Sequence, residues 1–219
     1  MTPENRLVQA ICSPLPGLQL DEFAALVGVV FDREGSVVEV RKGLDALAER
    51  CDRDFGSIMR LFGAGGLVGN AAAYQDPRNS YLHQVLRRGL GIPITLSICA
   101  IEVGRRLGVP VRGVGLPGHF VVECRGEYGD PFRGSPPFDR DDLLDRWRAN
   151  TGSRGPLEPR LLEPVDDRAI VLRMLNNLTQ LFLAEPDHRP LASMARLRGA
   201  FAELQHERDE HRAWMRHWN

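Results

Sequence analysis

No run of apolar residues in this 219-residue sequence approaches the roughly twenty needed to cross a bilayer. The opening segment does not read as a secretion leader either, because Glu4 falls early in it and Ser13, Pro14 and Pro16 interrupt the apolar stretch that a leader requires. Cysteine is sparse. Cys12, Cys51, Cys99 and Cys124 are scattered, with no CxxC pair, which argues against a zinc site or a disulfide framework. An excess of either charge is also missing: a net charge of -1 and a pI near 6.6 provide no global pull toward nucleic acid or an anionic membrane. No repeat of fixed period is visible. These absences lead to the expectation of a cytoplasmic protein with reduced thiols and no cofactor, metal, nucleic-acid or membrane partner.

What is present suits a globular fold. Hydrophobic residues make up 43% of the chain and charged ones 26%, enough apolar material for a buried core. Apolar residues at helical spacing predict helices over 20–31, with Asp21 as the N-cap, and over 38–51. An apolar stretch at 57–67 ends in Gly63, Ala64, Gly65 and Gly66, a stop followed by a turn. A polar loop around Asp76 and Pro77 then feeds a short helix over 81–88. Residues 93–107 start with a proline suited to a first helical position and are apolar on nearly every face, which predicts a buried central helix closed by Gly108.

Strands are expected next, at 109–116, 119–124 and 128–132. Alternation in the second places His119, Val121 and Glu123 on one face and Phe120, Val122 and Cys124 on the other. Helices over 139–149, 170–183 and 191–214 follow, with a proline-containing linker at 152–164. A helix followed by an antiparallel meander makes the fold class α+β. The expected organisation is an N-terminal helical part (1–73), a core (74–150), and a linker with C-terminal helices (151–219), within one compact unit.

Five ordered motifs carry a resemblance. They are Asp76-Pro77-Arg78-Asn79-Ser80-Tyr81-Leu82, Gly91-Ile92-Pro93-Ile94-Thr95-Leu96-Ser97, Arg105-Arg106-Leu107-Gly108-Val109-Pro110, Gly115-Leu116-Pro117-Gly118-His119-Phe120 and Asp130-Pro131-Phe132. Together they resemble the SirB-one family, a branch of the transglutaminase-like superfamily. The resemblance implies a papain-like core with a cysteine at the start of the central helix, a histidine on a following strand and an aspartate on the next. His119 and Asp130 fill the last two positions, and the nucleophile position falls on Pro93, whose ring cannot attack a carbonyl.

In such a site a helix N-terminus stabilises thiolate, the imidazole exchanges the proton and the carboxylate fixes its tautomer. Without the thiol, His119 reads either as a working acid–base group or as an inherited histidine that ties two strands together through Asp130. Thr95 and Ser97 are nearby hydroxyls with ordinary roles in first-turn hydrogen bonding and packing. Arg78, Asn79 and Glu123 complete the cleft candidates: Asn79 can cap the helix after it, and Arg78, if buried, would need a carboxylate such as Asp130 or Glu123.

Three functions compete. The leading one is a non-catalytic domain that binds a protein or peptide partner through the retained cleft or its helical surroundings. The second is a hydrolase or acyl transferase using His119 and Asp130 with water or a hydroxyl. The third is an adaptor that acts through its C-terminal helices, where Trp214 and Trp218 could dock. His206, His211 and His217 in the same tail are read as a solvated charged face and not as a metal site.

Overall fold

A computed structural model of the chain describes residues 1–13, 19–32, 34–152, 155 and 157–202. It contains helices α1 (Pro3–Cys12), α2 (Leu20–Phe31), α3 (Val37–Ala48), α4 (Phe55–Met59), α5 (Leu82–Arg88), α6 (Pro93–Leu107), α7 (Arg140–Thr151), α8 (Asp167–Ala184) and α9 (Arg189–Arg198). Between them lie strands β1 (Val68–Gly69), β2 (Leu90–Gly91), β3 (Arg112–Val114), β4 (Val121–Cys124), β5 (Glu127–Gly129) and β6 (Pro164–Val165). The architecture is α+β.

The central helix α6 has the limits expected from its punctuation. Pro93 takes the first helical position, where its missing N–H is not needed, and Gly108 closes the helix in the left-handed conformation at φ 71°. Every residue from Pro93 to Gly104 is buried. On one side α6 meets α3, and on another it meets an antiparallel sheet of order β5-β4-β3-β6, with Val114 opposite Val121 and Glu123 opposite Tyr128.

Both faces of that sheet are covered, and the predicted alternation of β4 decides which side chain goes where. Phe120, Val122 and Cys124 join the large core built around α6, whereas Val121 joins Leu116, Tyr128, Phe138, Leu143 and Trp147 in a second cluster beneath α7. The large core draws residues from Leu7 to Phe201, so it is filled by all three parts of the chain.

Several expectations are corrected. Gln19, not Asp21, precedes the first turn of α2; Asp21 lies inside the helix, buried, and accepts from the Arg106 guanidinium of α6 at 2.9 Å. The strand expected over 109–116 shrinks to three residues because Val109 and Val111 fold back onto Gly104 of α6. The next strand starts at Val121, since the His119 N–H turns back to the Leu116 carbonyl at 3.2 Å. Part of the supposed linker pairs with β3 as β6. The parallel pair β1–β2 was not expected; in it Gly69 is obligatory, because a Cβ there would lie 2.3 Å from the Phe132 carbonyl oxygen. The last expected helix is described only as α9, and His206, His211, His217, Trp214 and Trp218 lie outside the described residues.

Candidate functional site

His119 and Asp130 meet. His119 sits on the turn before β4 and Asp130 immediately after β5, and the antiparallel pairing of these strands brings their ends together. The imidazole Nε2 lies 2.8 Å from Asp130 Oδ2. Asp130 is 3% exposed, and its other oxygen accepts the Arg133 backbone N–H at 3.2 Å, with the Arg133 guanidinium 3.6 Å from Oδ2. With Nε2 engaged by the carboxylate, Nδ1 is the ring nitrogen left without a partner among the described residues. The ring of Phe132 stands edge-on to His119, centroids 6.2 Å apart, and Tyr74 repeats that geometry on Phe132 at 6.0 Å.

A further residue supports the histidine, and the motifs did not single it out for this role. Arg173, from α8, donates through Nη2 to the carbonyls of both Leu116 and His119 at 2.7 Å, and its guanidinium carbon lies 5.3 Å from the Phe120 ring centroid. Burial lowers its pKa, against the opposing influence of Tyr74. In the sequence, the signal is an arginine placed one turn after Ile170 on an otherwise apolar helical stretch, a position that favours a buried donor.

The other candidates serve different ends. Pro93 is buried at the first turn of α6. The Thr95 hydroxyl accepts from the Ile92 N–H at 3.1 Å and donates to the Asn79 carbonyl at 2.7 Å, which commits it to the start of the helix. The Ser97 hydroxyl is wholly buried and has no hydrogen-bond partner among the described residues. Asn79 is buried beneath the 70–79 loop, bonded to Asn70 and to the Ala73 carbonyl, while Asp76 caps the turn that contains it. Arg78 is exposed and pairs with its neighbour Asp76, not with Asp130 or Glu123. Glu123 holds Arg112 at 2.8 Å across the strands and accepts the Gly126 N–H at the hairpin turn.

Beside the pair lies a small pocket of about 60 Å³ between the 116–119 turn, β4 and α7. Its walls include Leu116, His119, Asp130 and Phe138, together with Leu143, Arg146, Trp147 and Asn150 from one face of α7. No residue of α6 lines it, consistent with its position on the opposite side of the sheet.

Comparison with known proteins places the sequence in a family. The model of the transglutaminase-like superfamily matches residues 34–176, well over half of the chain. The chain belongs to the transglutaminase-like superfamily. It is 43% identical over 129 residues to a UPF0162 protein of Xylella fastidiosa strain Temecula1, covering 56% of this chain and 46% of that one. To a UPF0162 protein of Vibrio cholerae it is 34% identical over 140 residues, 60% of this chain and 50% of the other. The chain thus spans about half the length of these curated relatives. A shorter stretch of 62 residues, 28% of the chain, is 45% identical to mouse F-box only protein 21, of which it covers 10%. No solved structure matches.

The cysteines bear on what this transglutaminase-like domain can do. Cys99 is fully buried, and burial, reinforced by Glu102, pushes its thiol up to about 12. Burial also raises the thiols of Cys51 and Cys124. Cys12 and Cys51 are engaged with carbonyls elsewhere, Cys12 with Ala200, Cys51 with Leu47 and Ser57. Among the described residues no thiol touches His119, no group of three or more metal-ligating side chains is assembled, and no helix is long and apolar enough to cross a membrane.

Proposed function

We propose that this is a non-catalytic transglutaminase-like domain of the SirB-one type that binds a protein or peptide partner through its cleft. In this reading Pro93 occupies the nucleophile position, and His119 with Asp130 is the remainder of the catalytic triad. The 74–150 core carries the cleft, with the 1–73 and 151–219 segments supporting it, in a cytoplasmic protein. One observation carries the reading: the His119–Asp130 pair is fully formed, yet no cysteine of the described residues is bonded to the imidazole. The raised thiols of Cys51, Cys99 and Cys124 point the same way, because the thiolate is the reactive form.

The test is alkylation resolved by cysteine at about pH 6 and about pH 8, comparing the wild type with His119→Ala. The expected result is slow modification at the lower pH with no effect of the substitution. One thiol that reacts fast at the lower pH and slows when His119 is removed would reveal a thiolate–imidazolium pair and overturn the reading.

Water-based hydrolysis is the second reading, favoured by His119 and Asp130 lining a pocket large enough for a few waters. Thr95 and Ser97 do not suit it as nucleophiles, since one hydroxyl is already committed and the other is sealed in the core. The adaptor reading gains nothing from α9, whose Leu191, Met194 and Leu197 are already buried within the domain.

A further inference from the structure

We propose that the pocket between the 116–119 turn and α7 receives a carboxylate of a peptide ligand, with Arg146 as its counter-charge; this rests on the binding reading above. Two donors in its walls, the Arg146 guanidinium and the Trp147 indole N–H, have no acceptor among the described residues. Arg146 lines the pocket with its guanidinium 4.2 Å from the Phe138 ring centroid, and no carboxylate of the described residues pairs with it. Asp142 stands four residues earlier on the same helix, an arrangement that commonly forms an ion pair, yet Arg146 packs on the aromatic ring instead.

Trp147 lines the same pocket, and its buried indole N–H has no acceptor among the described residues. The carboxylate and the side-chain amide oxygen in the wall are already engaged. Asp130 is held by His119 and the Arg133 N–H, and Asn150 Oδ1 accepts from the Arg133 guanidinium. Among the walls one carboxylate, Asp130, stands against one guanidinium, Arg146; Asp130 is already held by His119 and the Arg133 backbone N–H, which leaves Arg146 without a counter-charge among the described residues.

A ligand that completes such a wall accepts hydrogen bonds and supplies a negative charge to Arg146. The volume of about 60 Å³ is several times what one water needs and leaves room for a carboxylate. A carboxylate fits the planar guanidinium fork, and the apolar side chains of Leu116, Val121 and Leu143 suit the aliphatic carbons next to it. A peptide can present this group as its C-terminus or as an acidic side chain.

The experiment is an NMR titration of the full chain that follows the Trp147 indole N–H, assigned with Trp147→Phe. Three N-acetylated alanine-based tripeptides serve as probes: one with a free C-terminal carboxylate, the same peptide as the amide, and the amide with one internal glutamate. The indole resonance is expected to move with one or both acidic peptides and to stay still with the neutral amide; which acid works identifies the source of the carboxylate. Arg146→Gln, at a partly exposed site where the fold survives, is expected to weaken that binding about tenfold or more, the scale of one charge-assisted contact. Equal binding of the neutral amide, or indifference to Arg146→Gln, would overturn the carboxylate assignment and leave peptide binding standing. Silence toward all three peptides would overturn the pocket as a carboxylate site and leave the binding reading to its own alkylation test.

Discussion

At the scale of single residues, the position of His119 depends on a cation that touches only its backbone. Arg173 Nη2 bridges the carbonyls of Leu116 and His119, closing the turn that also carries the His119 N–H to Leu116. Arg173→Met leaves both carbonyls short of a donor and should cost about 1.5–3 kcal/mol, the usual range for hydrogen bonds to a charged group. Arg173→Lys keeps a charge that can reach one carbonyl and should recover part of the loss. Urea denaturation measures the stabilities, and the His119 ring proton resonances report its orientation: they should move in the Met variant and return toward their original positions in the Lys variant. A Met variant as stable as the wild type, with unmoved His119 resonances, would mean that the turn holds itself.

At the scale of elements, α6 combines a neutral first turn at Thr95 with an ionised last turn. Glu102, with a side chain 1% exposed, pairs with Arg105 at 2.7 Å and Arg106 at 3.0 Å. Burial nevertheless dominates and raises its pKa, with Arg105 and Arg106 pulling the other way. A carboxyl whose folded pKa is raised holds more protons in the folded state than in the unfolded one, between the unfolded value of about 4.3 and the folded value. Its contribution to stability therefore falls as pH rises through that window. The difference in unfolding free energy between the wild type and Glu102→Gln, followed by urea denaturation from about pH 4 upward, should slope downward with pH. A flat or rising difference would mean that the two arginines outweigh burial.

The same helix shows why some of the structure could be read from the sequence. Pro93 and Gly108 mark its ends by local backbone chemistry, and the alternation around Val121 sorts side chains to the two faces of the sheet, whereas the His119–Asp130 pair is expected only from the family resemblance. Asp21 was mistaken for a cap because an aspartate near a helix start looks the same whether it caps or pairs with a distant arginine, here Arg106. Strands β1 and β2 are two residues each with a glycine in both, too short to alternate. The wall formed by α7 was hidden because its sequence is dominated by charge. Leu143 and Trp147, four apart, were the trace of a buried face that also carries Arg146.

At the scale of the whole molecule, the family match over residues 34–176 leaves out α1, α2 and α9, yet these helices complete the core. α1 packs on both α2 and α9, which joins the two ends of the chain. Leu7 and Ile11 are buried on one side of that junction, and Leu191, Met194, Leu197 and Phe201 on the other. Arg196 reaches Asn5 at 2.7 Å, and Arg168 donates to the Ile11 carbonyl while its guanidinium carbon lies 4.6 Å from the Phe201 ring centroid. Removing residues 191–219 to test an adaptor role would therefore also take away part of the core, and lost partner binding would not separate an interface from a damaged fold. A point substitution is cleaner. Leu197→Ala, at a fully buried site, should destabilise the protein by about 2–5 kcal/mol. If the ends form one cooperative unit, native-state hydrogen exchange in this variant should speed up in α1 as well as α9, while the amides of α6 keep the greatest protection. Faster exchange confined to α9 would show that the C-terminal helix opens independently of α1, and the clasp would then be no more than two helices lying side by side.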